Sequence, residues 1–158
     1  ALLHGRKPTI AAINGPALGA GLGIAASCCI LVASENTRVG IPEVAVGMLG
    51  GARHAQRLLG HSTVNRMFLT GHQLDAQELY HRRVIEACLA PDELMPYAEK
   101  IAAEIAAKDP NAVQMARKSL AEVEEMGVLA GYCQEMELAT ELGKTENARN
   151  AMRAFLKR

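Results

Sequence analysis

The stretch from residue 9 to 35, "TIAAINGPALGAGLGIAASCCILVASE", joins short apolar runs through glycine-rich sequence and has no charged residue before its last. Residues 9–15 have β-branched ends followed by turn residues, which predicts a buried strand. A short buried helix over 22–29 and a second buried strand over 30–35 follow. Strand, helix and strand in this order predict a βαβ-like α/β unit whose apolar strands are covered on both faces.

Three glycines, Gly19, Gly21 and Gly23, alternate where the helix should begin, although a helical glycine costs about 1 kcal/mol relative to alanine. A dinucleotide-binding turn explains Gly19, Gly21 and the strand-end Glu35, but its third glycine is Ile24 here. Close packing of the helix on strands is a second explanation. The third, which fits best, is a helix start whose bare N–H groups approach a ligand and stabilise negative charge.

Glu43 is the only acid in "RVGIPEVAVGMLGGA", residues 38–52, and it follows Pro42 at the end of a short strand. The apolar residues expected to surround it are Ile41, Val44, Val46 and Met48. A carboxyl group in an apolar pocket is suited to taking up and returning a proton. The alternative is a glutamate that caps a local helix or reaches solvent from a loop.

Composition excludes several classes of function. Lysine plus arginine and aspartate plus glutamate number 17 each, with two Phe, three Tyr and no Trp, so neither nucleic acid nor an anionic membrane is an expected partner. The apolar run over 16–33 is too rich in glycine for a membrane span, and "ALLHGRKPT" lacks the order of a signal peptide. Four cysteines without metal-ligand spacing predict no metal site and reduced thiols in an intracellular, cytoplasmic protein.

After about residue 50, the chain contains residues that typically mark the starts and ends of helices. Ser62 is a candidate cap for a helix over 63–70, Asp75 and Glu78 have capping-box spacing, and 84–90 reads as one more strand. Pro91 is expected to begin a helix that runs to Lys108, and Asp109 to cap a helix that runs to Met126. Breaks are expected at Gly127 and Gly131, and Thr145 is expected to cap a last helix over 146–157. We therefore expect a core over 1–90 and a helical region over 91–158.

The helical region has more large apolar side chains than one thin layer can bury: Met115, Leu120, Met126, Met136, Leu138, Met152 and Phe155. We expect another subunit to cover part of them. A self-contained helical cap is the alternative.

Taken together, the chain resembles the crotonase, or enoyl-CoA hydratase/isomerase, superfamily over essentially all 158 residues. The matching strings are "KPTIAAINGPALGAGLGIAASCCILVASENTRVGIPEVAVGMLGGARHAQRLLG", "FLTGHQLDAQEL" and "EKIAAEIAAKDPNAVQMARKSL". The resemblance implies a spiral of ββα units with a helical C-terminal trimerisation region, assembled as a homotrimer or hexamer. It also implies an acyl-CoA substrate, with coenzyme A as part of that substrate and no other cofactor.

The resemblance also assigns roles to residues. Ala20 matches the position whose N–H holds the thioester oxygen as it becomes an enolate, with Gly19 and Gly21 clearing space around it. Glu43 matches the second of the two glutamates that hydratases of the family use. The turn at Gly50 and Gly51 is expected to shape the pocket, with Pro42 beside it.

Two positions depart from the family pattern. Gly23 stands where hydratases have their first glutamate, which favours isomerisation by Glu43 alone over water addition by two carboxylates. The family's "PGAGGTQRL" is "GGARHAQRL" here, residues 50–58, which puts His54 near the expected acyl chain. A surface or packing role is the favoured interpretation of His54, with a substitute acid or base as the alternative.

The family pattern also has a further N-terminal part, which would supply the second oxyanion donor and several strands. We expect the chain to be a truncated piece of a longer enzyme rather than a naturally short form, and inactivity of the chain alone is left open. The function predicted is enoyl-CoA hydratase/isomerase chemistry in fatty acid metabolism. A catalytically silent CoA-binding or assembly module is the alternative.

Overall fold

A computed structural model describes residues 2–156 of the chain. They divide into two compact units. The first, here the core unit, comprises Thr9–Ala102. The second, here the helical unit, contains Leu3–Pro8 together with the chain from Ala103 onwards.

Six short strands are described, and they form two three-stranded sheets. The strands are β1 (Ile10–Ile13), β2 (Pro16–Leu18), β3 (Ile30–Ser34), β4 (Arg38–Gly40), β5 (Gln73–Asp75) and β6 (Cys88–Leu89). The first sheet has the order β1-β3-β6, with all neighbours parallel. The second has the order β2-β4-β5, in which β2 and β4 are parallel and β5 is antiparallel to β4.

Eight α-helices and one 3-10 helix complete the described fold. In the core unit lie α1 (Ala20–Ala26), the 3-10 helix (Pro42–Val46), α2 (Ala52–Leu58), α3 (His61–Thr70), α4 (Ala76–His81) and most of α5 (Leu94–Ala106). The helical unit contains the end of α5 together with α6 (Pro110–Val123), α7 (Val128–Gly143) and α8 (Glu146–Phe155). Within residues 2–156, no helix combines the length and apolar character that crossing a membrane requires.

The two sheets are extended together by a repeating ββα unit. β1 and β3 pair in register from Ile10 opposite Ile30, and β2 and β4 pair from Pro16 opposite Arg38. The pairs β1–β2 and β3–β4 therefore each add one strand to each sheet before a helix follows, whereas β5 and β6 are separated by α4. The predicted parallel pairing of 9–15 with 30–35 is confirmed, but the connection includes the additional strand β2, so the crotonase-like spiral replaces a simple βαβ unit.

The core unit is held together by apolar side chains from both sheets and from the helices that pack on them. Its main cluster is built around Leu22, Val39, Ile41, Met67, Leu74 and Leu79, all at most 2% exposed. A second cluster joins Val32 of β3 to Leu94 and Ala98 of α5. At roughly 25 cal/mol per Å² of apolar surface removed from water, such burial is the main stabilising term.

Several of the predicted helix signals are confirmed. Asp75 accepts a hydrogen bond from the Glu78 N–H at 2.8 Å, and the Glu78 carboxylate accepts one from the Asp75 N–H, which completes the capping box. Asp109 and Thr145 cap α6 and α8 through their side chains.

Three local predictions were wrong. Ser62 does not cap α3, because the helix begins at His61, two residues before the predicted start, and Gly60 is its N-cap residue. Gly131 does not break the chain: it lies buried inside α7 against Val123 and Met126, where close packing offsets its poor helix propensity. The strand expected over 84–90 is reduced to the two residues of β6.

The excess of apolar surface expected in the helical unit is present. Leu138 is buried, while Leu120, Met126, Met136, Met152 and Phe155 are at least 41% exposed. The beginning of α7 adds Val128 and Leu129, which are 93% and 77% exposed. So many large exposed apolar side chains are consistent with an interface.

Candidate functional site

Glu43 is the second residue of the 3-10 helix Pro42–Val46, which starts after the buried Ile41, the residue that follows strand β4. Pro42 begins this helix, as its fixed φ favours, and Gly47 ends it in the left-handed conformation. The Oε2 atom of Glu43 is buried and accepts no hydrogen bond from the described part of the chain. Buried carboxylate oxygens are nearly always paired, so this oxygen is placed to receive a partner from outside the chain.

The Glu43 carboxyl group lies directly against the backbone of Gly19. A Cβ atom on Gly19 would be 2.9 Å from Cδ of Glu43 and closer still to Oε1. Gly19 also has φ 52° and ψ −113°, a backbone conformation that residues with a side chain rarely adopt. Both the space and the backbone therefore require glycine at this position.

The turn before α2 packs on the same glycine. Gly51 has φ 77°, and a Cβ atom on it would be 3.4 Å from the carbonyl oxygen of Gly19. A Cβ on the neighbouring Gly50 would lie 3.8 Å from Oε1 of Glu43. Gly19, Glu43, Gly50 and Gly51 thus meet in one place, which we call the glycine neck.

Ala20, the first residue of α1, is exposed beside the glycine neck. As the first helical residue, its N–H has no acceptor within the helix, and no other acceptor is found for it among residues 2–156. The preceding N–H, that of Gly19, donates instead to the Gly40 carbonyl at 2.9 Å. This bond links the end of β2 to the end of β4 and fixes where the free Ala20 donor lies.

The other two glycines of the alternating set are not sterically required. A Cβ on Gly21 would meet only Ala17, at 3.9 Å, and a Cβ on Gly23 would be 3.6 Å from Cδ2 of His54. Both distances are ordinary van der Waals contacts, and neither glycine has a positive φ. The sequence pattern singled out three glycines, but only Gly19 among them is required by its backbone conformation and its surroundings.

His54 lies in the first turn of α2, with its ring beside Gly23. Its Nδ1 atom is buried and has no hydrogen-bond partner within the described residues. The sequence favoured a surface or packing role for His54, and a ring beside Gly23 with a buried nitrogen fits packing rather than surface exposure. No sequence signal revealed the contact, because positions 23 and 54 belong to different helices.

The apolar surroundings predicted for Glu43 are only partly present. Ile41 is fully buried, but Val44, Val46 and Met48 are between 40% and 74% exposed. The physical reason is that the 3-10 helix leaves the second sheet and turns these side chains away from the core. Together with the exposed Leu49, they form an exposed apolar stretch that follows Glu43 in the chain, here the apolar rim, rather than a closed pocket.

Neither a metal site nor a dinucleotide turn gains support from this geometry. No group of three His, Cys, Asp or Glu side chains within residues 2–156 is arranged to hold a metal ion. The helix after the glycines has only seven residues, shorter than a dinucleotide fold provides. The four cysteines are all free.

The whole chain, residues 1–158, matches the family model described as enoyl-CoA hydratase/isomerase. It is 37% identical over 155 residues to the 2,3-dehydroadipyl-CoA hydratase of Escherichia coli, covering 96% of this chain and 61% of that protein. It is 34% identical to the short-chain-enoyl-CoA hydratase of Clostridium acetobutylicum, covering 96% and 59%.

Solved structures agree with the sequence comparisons. The enoyl-CoA hydratase subunit I from Geobacillus kaustophilus superposes with a TM-score of 0.93 at 28% identity, covering 99% of this chain and 62% of that one. The chain thus has the crotonase fold. It spans about 60% of the length of the relatives it matches.

Proposed function

Because the chain belongs to the enoyl-CoA hydratase/isomerase family, we propose that it forms the proton-transfer part of an enzyme acting on enoyl-CoA thioesters. The observation that carries the proposal is the glycine neck. There a buried, unpaired carboxylate oxygen of Glu43 lies against Gly19, one residue before the free N–H of Ala20. A proton carrier beside an unpaired backbone donor is what enolate chemistry needs.

The Ala20 N–H donates a hydrogen bond to the thioester oxygen. Negative charge grows on that oxygen as the enolate forms, so a donor already in place stabilises the transition state more than the ground state. The absence of a side chain at Gly19 lets the thioester approach the donor while the Glu43 carboxyl group stays next to it.

Glu43 carries the proton. With a 3-enoyl thioester, its carboxylate takes a proton from C2, and the electron pair of the broken C–H bond moves into the dienolate. Glu43 then returns the proton to C4, and the double bond is left between C2 and C3. Atoms and charge balance over the two steps, and the carboxylate is regenerated.

Water addition to a 2-enoyl thioester uses the same enolate. Water adds to C3, the electron pair of the double bond moves toward the thioester oxygen, and C2 then gains a proton. The two relatives named above are called hydratases, which supports this direction. Gly23, which has no carboxyl group, supports the isomerisation direction, so the proposal covers both.

The substrate is an acyl-CoA, and no cofactor beyond its own coenzyme A is proposed. The apolar rim beside Glu43, with Val46, Met48 and Leu49 exposed, would contact its acyl chain. The exposed apolar side chains of the helical unit support assembly as a homotrimer or hexamer.

The test is a spectrophotometric assay of the full-length protein with a 2-enoyl-CoA and a 3-enoyl-CoA, following the conjugated thioester absorbance. We expect absorbance to fall with the first or rise with the second, and Glu43→Gln to lower kcat by about 10²–10⁴-fold. Glu35→Gln is the matched control, since this exposed acid lies just after β3. Acyl-CoA binding without turnover of either substrate would instead indicate a silent CoA-binding module.

A further inference from the structure

His54 is placed beside the proposed reaction site by the two helices that start at the glycine neck. α1 begins after Gly19 and carries Gly23 one turn later, and α2 begins after Gly51 and carries His54 in its first turn. Since Gly51 packs on the Gly19 carbonyl, the two helices leave the neck as neighbours. The His54 ring fills the space in front of Gly23, at 3.6 Å from where a Cβ would stand.

The ring nitrogen of His54 is in an unusual state for a structural histidine. Nδ1 is buried and lacks a hydrogen-bond partner among residues 2–156. Leaving a buried polar atom unpaired is unfavourable, and buried imidazoles that serve packing are normally hydrogen-bonded. Glu43 Oε2 shares this state, so the glycine neck and the first turn of the helix that follows it each carry a buried group that the described chain leaves without a partner.

We propose that His54 is the group that holds and deprotonates the water in the hydration direction, while Glu43 delivers the proton to C2. This deepens the proposed function and rests on it. Nδ1 acts as an acceptor when the ring proton is on Nε2. A water molecule bound there would supply the partner that Nδ1 lacks among the described residues.

The step balances. The water oxygen forms a bond to C3 as one water O–H bond breaks and its proton moves to Nδ1. The electron pair of the C2–C3 double bond passes into the enolate held at the Ala20 N–H. The protonated Glu43 then gives its proton to C2. Transfer of the Nδ1 proton back to Glu43, directly or through solvent, resets both groups.

The experiment compares His54→Ala with wild type in the full-length protein, using both enoyl-CoA substrates. We expect hydration of the 2-enoyl-CoA to fall by about 10²-fold or more, while isomerisation of the 3-enoyl-CoA, which needs Glu43 alone, stays within about twofold. Added imidazole should restore part of the hydration, because the truncated side chain leaves a ring-sized space. A merely structural histidine gives no such rescue.

His61→Ala is the matched control, since His61 is exposed on α3 and is hydrogen-bonded to Asn65, four residues later on the same helix. Hydration unchanged in His54→Ala, or hydration and isomerisation lost together without imidazole rescue, overturns the role of His54. Should His54→Ala fail to fold, His54→Asn replaces it, with the same two substrates as readout.

Failure of the proposal and failure of the proposed function are distinguishable. A wild-type protein that isomerises the 3-enoyl-CoA but does not hydrate the 2-enoyl-CoA overturns the role of His54 and leaves the proposed function standing. A wild-type protein inert toward both substrates overturns both.

Discussion

The carboxyl group of Glu43 occupies the space that a side chain on Gly19 would need. A Cβ on Gly19 would stand 2.9 Å from Cδ of Glu43, well inside the van der Waals separation of two carbon atoms. The absence of a side chain at position 19 therefore allows the carboxyl group to lie against Gly19, the residue that precedes Ala20 and its N–H.

Replacing Gly19 with alanine should impair both the backbone and the site. Alanine is strained at φ 52° and ψ −113°, at a cost of order 1–3 kcal/mol, and its methyl group would displace the carboxyl group. A displacement of about 1 Å at the reacting groups can lower kcat by about 10²-fold. Enzyme kinetics and urea unfolding of Gly19→Ala in the full-length protein measure the two effects. Wild-type kinetics in this variant would contradict the steric argument.

Gly23→Ala, unlike Gly19→Ala, should stabilise the protein. The position is helical without a positive φ, and the new methyl group would meet the His54 ring at an ordinary 3.6 Å. Alanine in place of a helical glycine should raise the free energy of unfolding by about 0.5–1 kcal/mol. Urea unfolding checks this, with Gly21→Ala as the companion variant. Destabilisation of more than about 1 kcal/mol would mean that the space beside His54 is smaller than described.

The helical unit should lose stability in acid, because the Asp109 carboxylate that caps α6 becomes protonated. Its carboxylate accepts hydrogen bonds from the Ala112 N–H and from the Asn147 side chain, and the first of these is the main cause that holds the Asp109 pKa below its ordinary value. Because the folded pKa is lower than the unfolded one, the unfolded state binds the proton more readily. The contribution is complete above the ordinary pKa of 3.8 and is lost as pH falls below it.

Urea unfolding between pH 6 and pH 2 tests this linkage, with Asp109→Asn compared with wild type. The variant should lose part of the pH dependence below about pH 4. Asp92→Asn is the control, because it removes an exposed aspartate from a turn. Parallel pH profiles for wild type and Asp109→Asn would show that the cap does not couple to protonation.

Leu129→Asp should weaken the proposed assembly. The leucine is 77% exposed at the start of α7, next to the 93% exposed Val128, and a carboxylate buried in an interface without a partner is costly. Sedimentation of the full-length variant should show smaller species than wild type. Asn150→Asp adds the same charge at an exposed polar position of α8 and should sediment as wild type. Equal sedimentation of all three proteins would exclude this face from the interface.

The sequence predicted those features of the fold that depend on local chemistry. The Asp75 and Thr145 caps, the ends of β1 and β3 and the excess apolar surface of the helical unit all follow from patterns within a few residues. Strand β2 was missed because Pro16 to Leu18 reads as a turn, and its pairing with β4 is a tertiary contact. The boundary expected at residue 90 stays a prediction.

The sequence singled out the residues of the candidate site but not how they are arranged. Glu43 and Gly19 were singled out from separate motifs, and only the fold brings them into contact. The apolar pocket expected around Glu43 is only partly present, because the 3-10 helix that follows Ile41 leaves Val44 and Val46 exposed. The neighbourhood of His54 and Gly23 is a contact between two helices, which no local pattern contains.

The hydrogen bond from the Gly19 N–H to the Gly40 carbonyl has a consequence for how this site can diversify. It ties the strand that leads to the backbone donor to the strand that leads to Glu43, so the spacing of donor and carboxylate is a property of sheet register. Gly23 and His54 face each other on two helices outside that frame. Substitutions at these two positions can therefore change the groups beside the site without altering the backbone that positions the Ala20 N–H and Glu43.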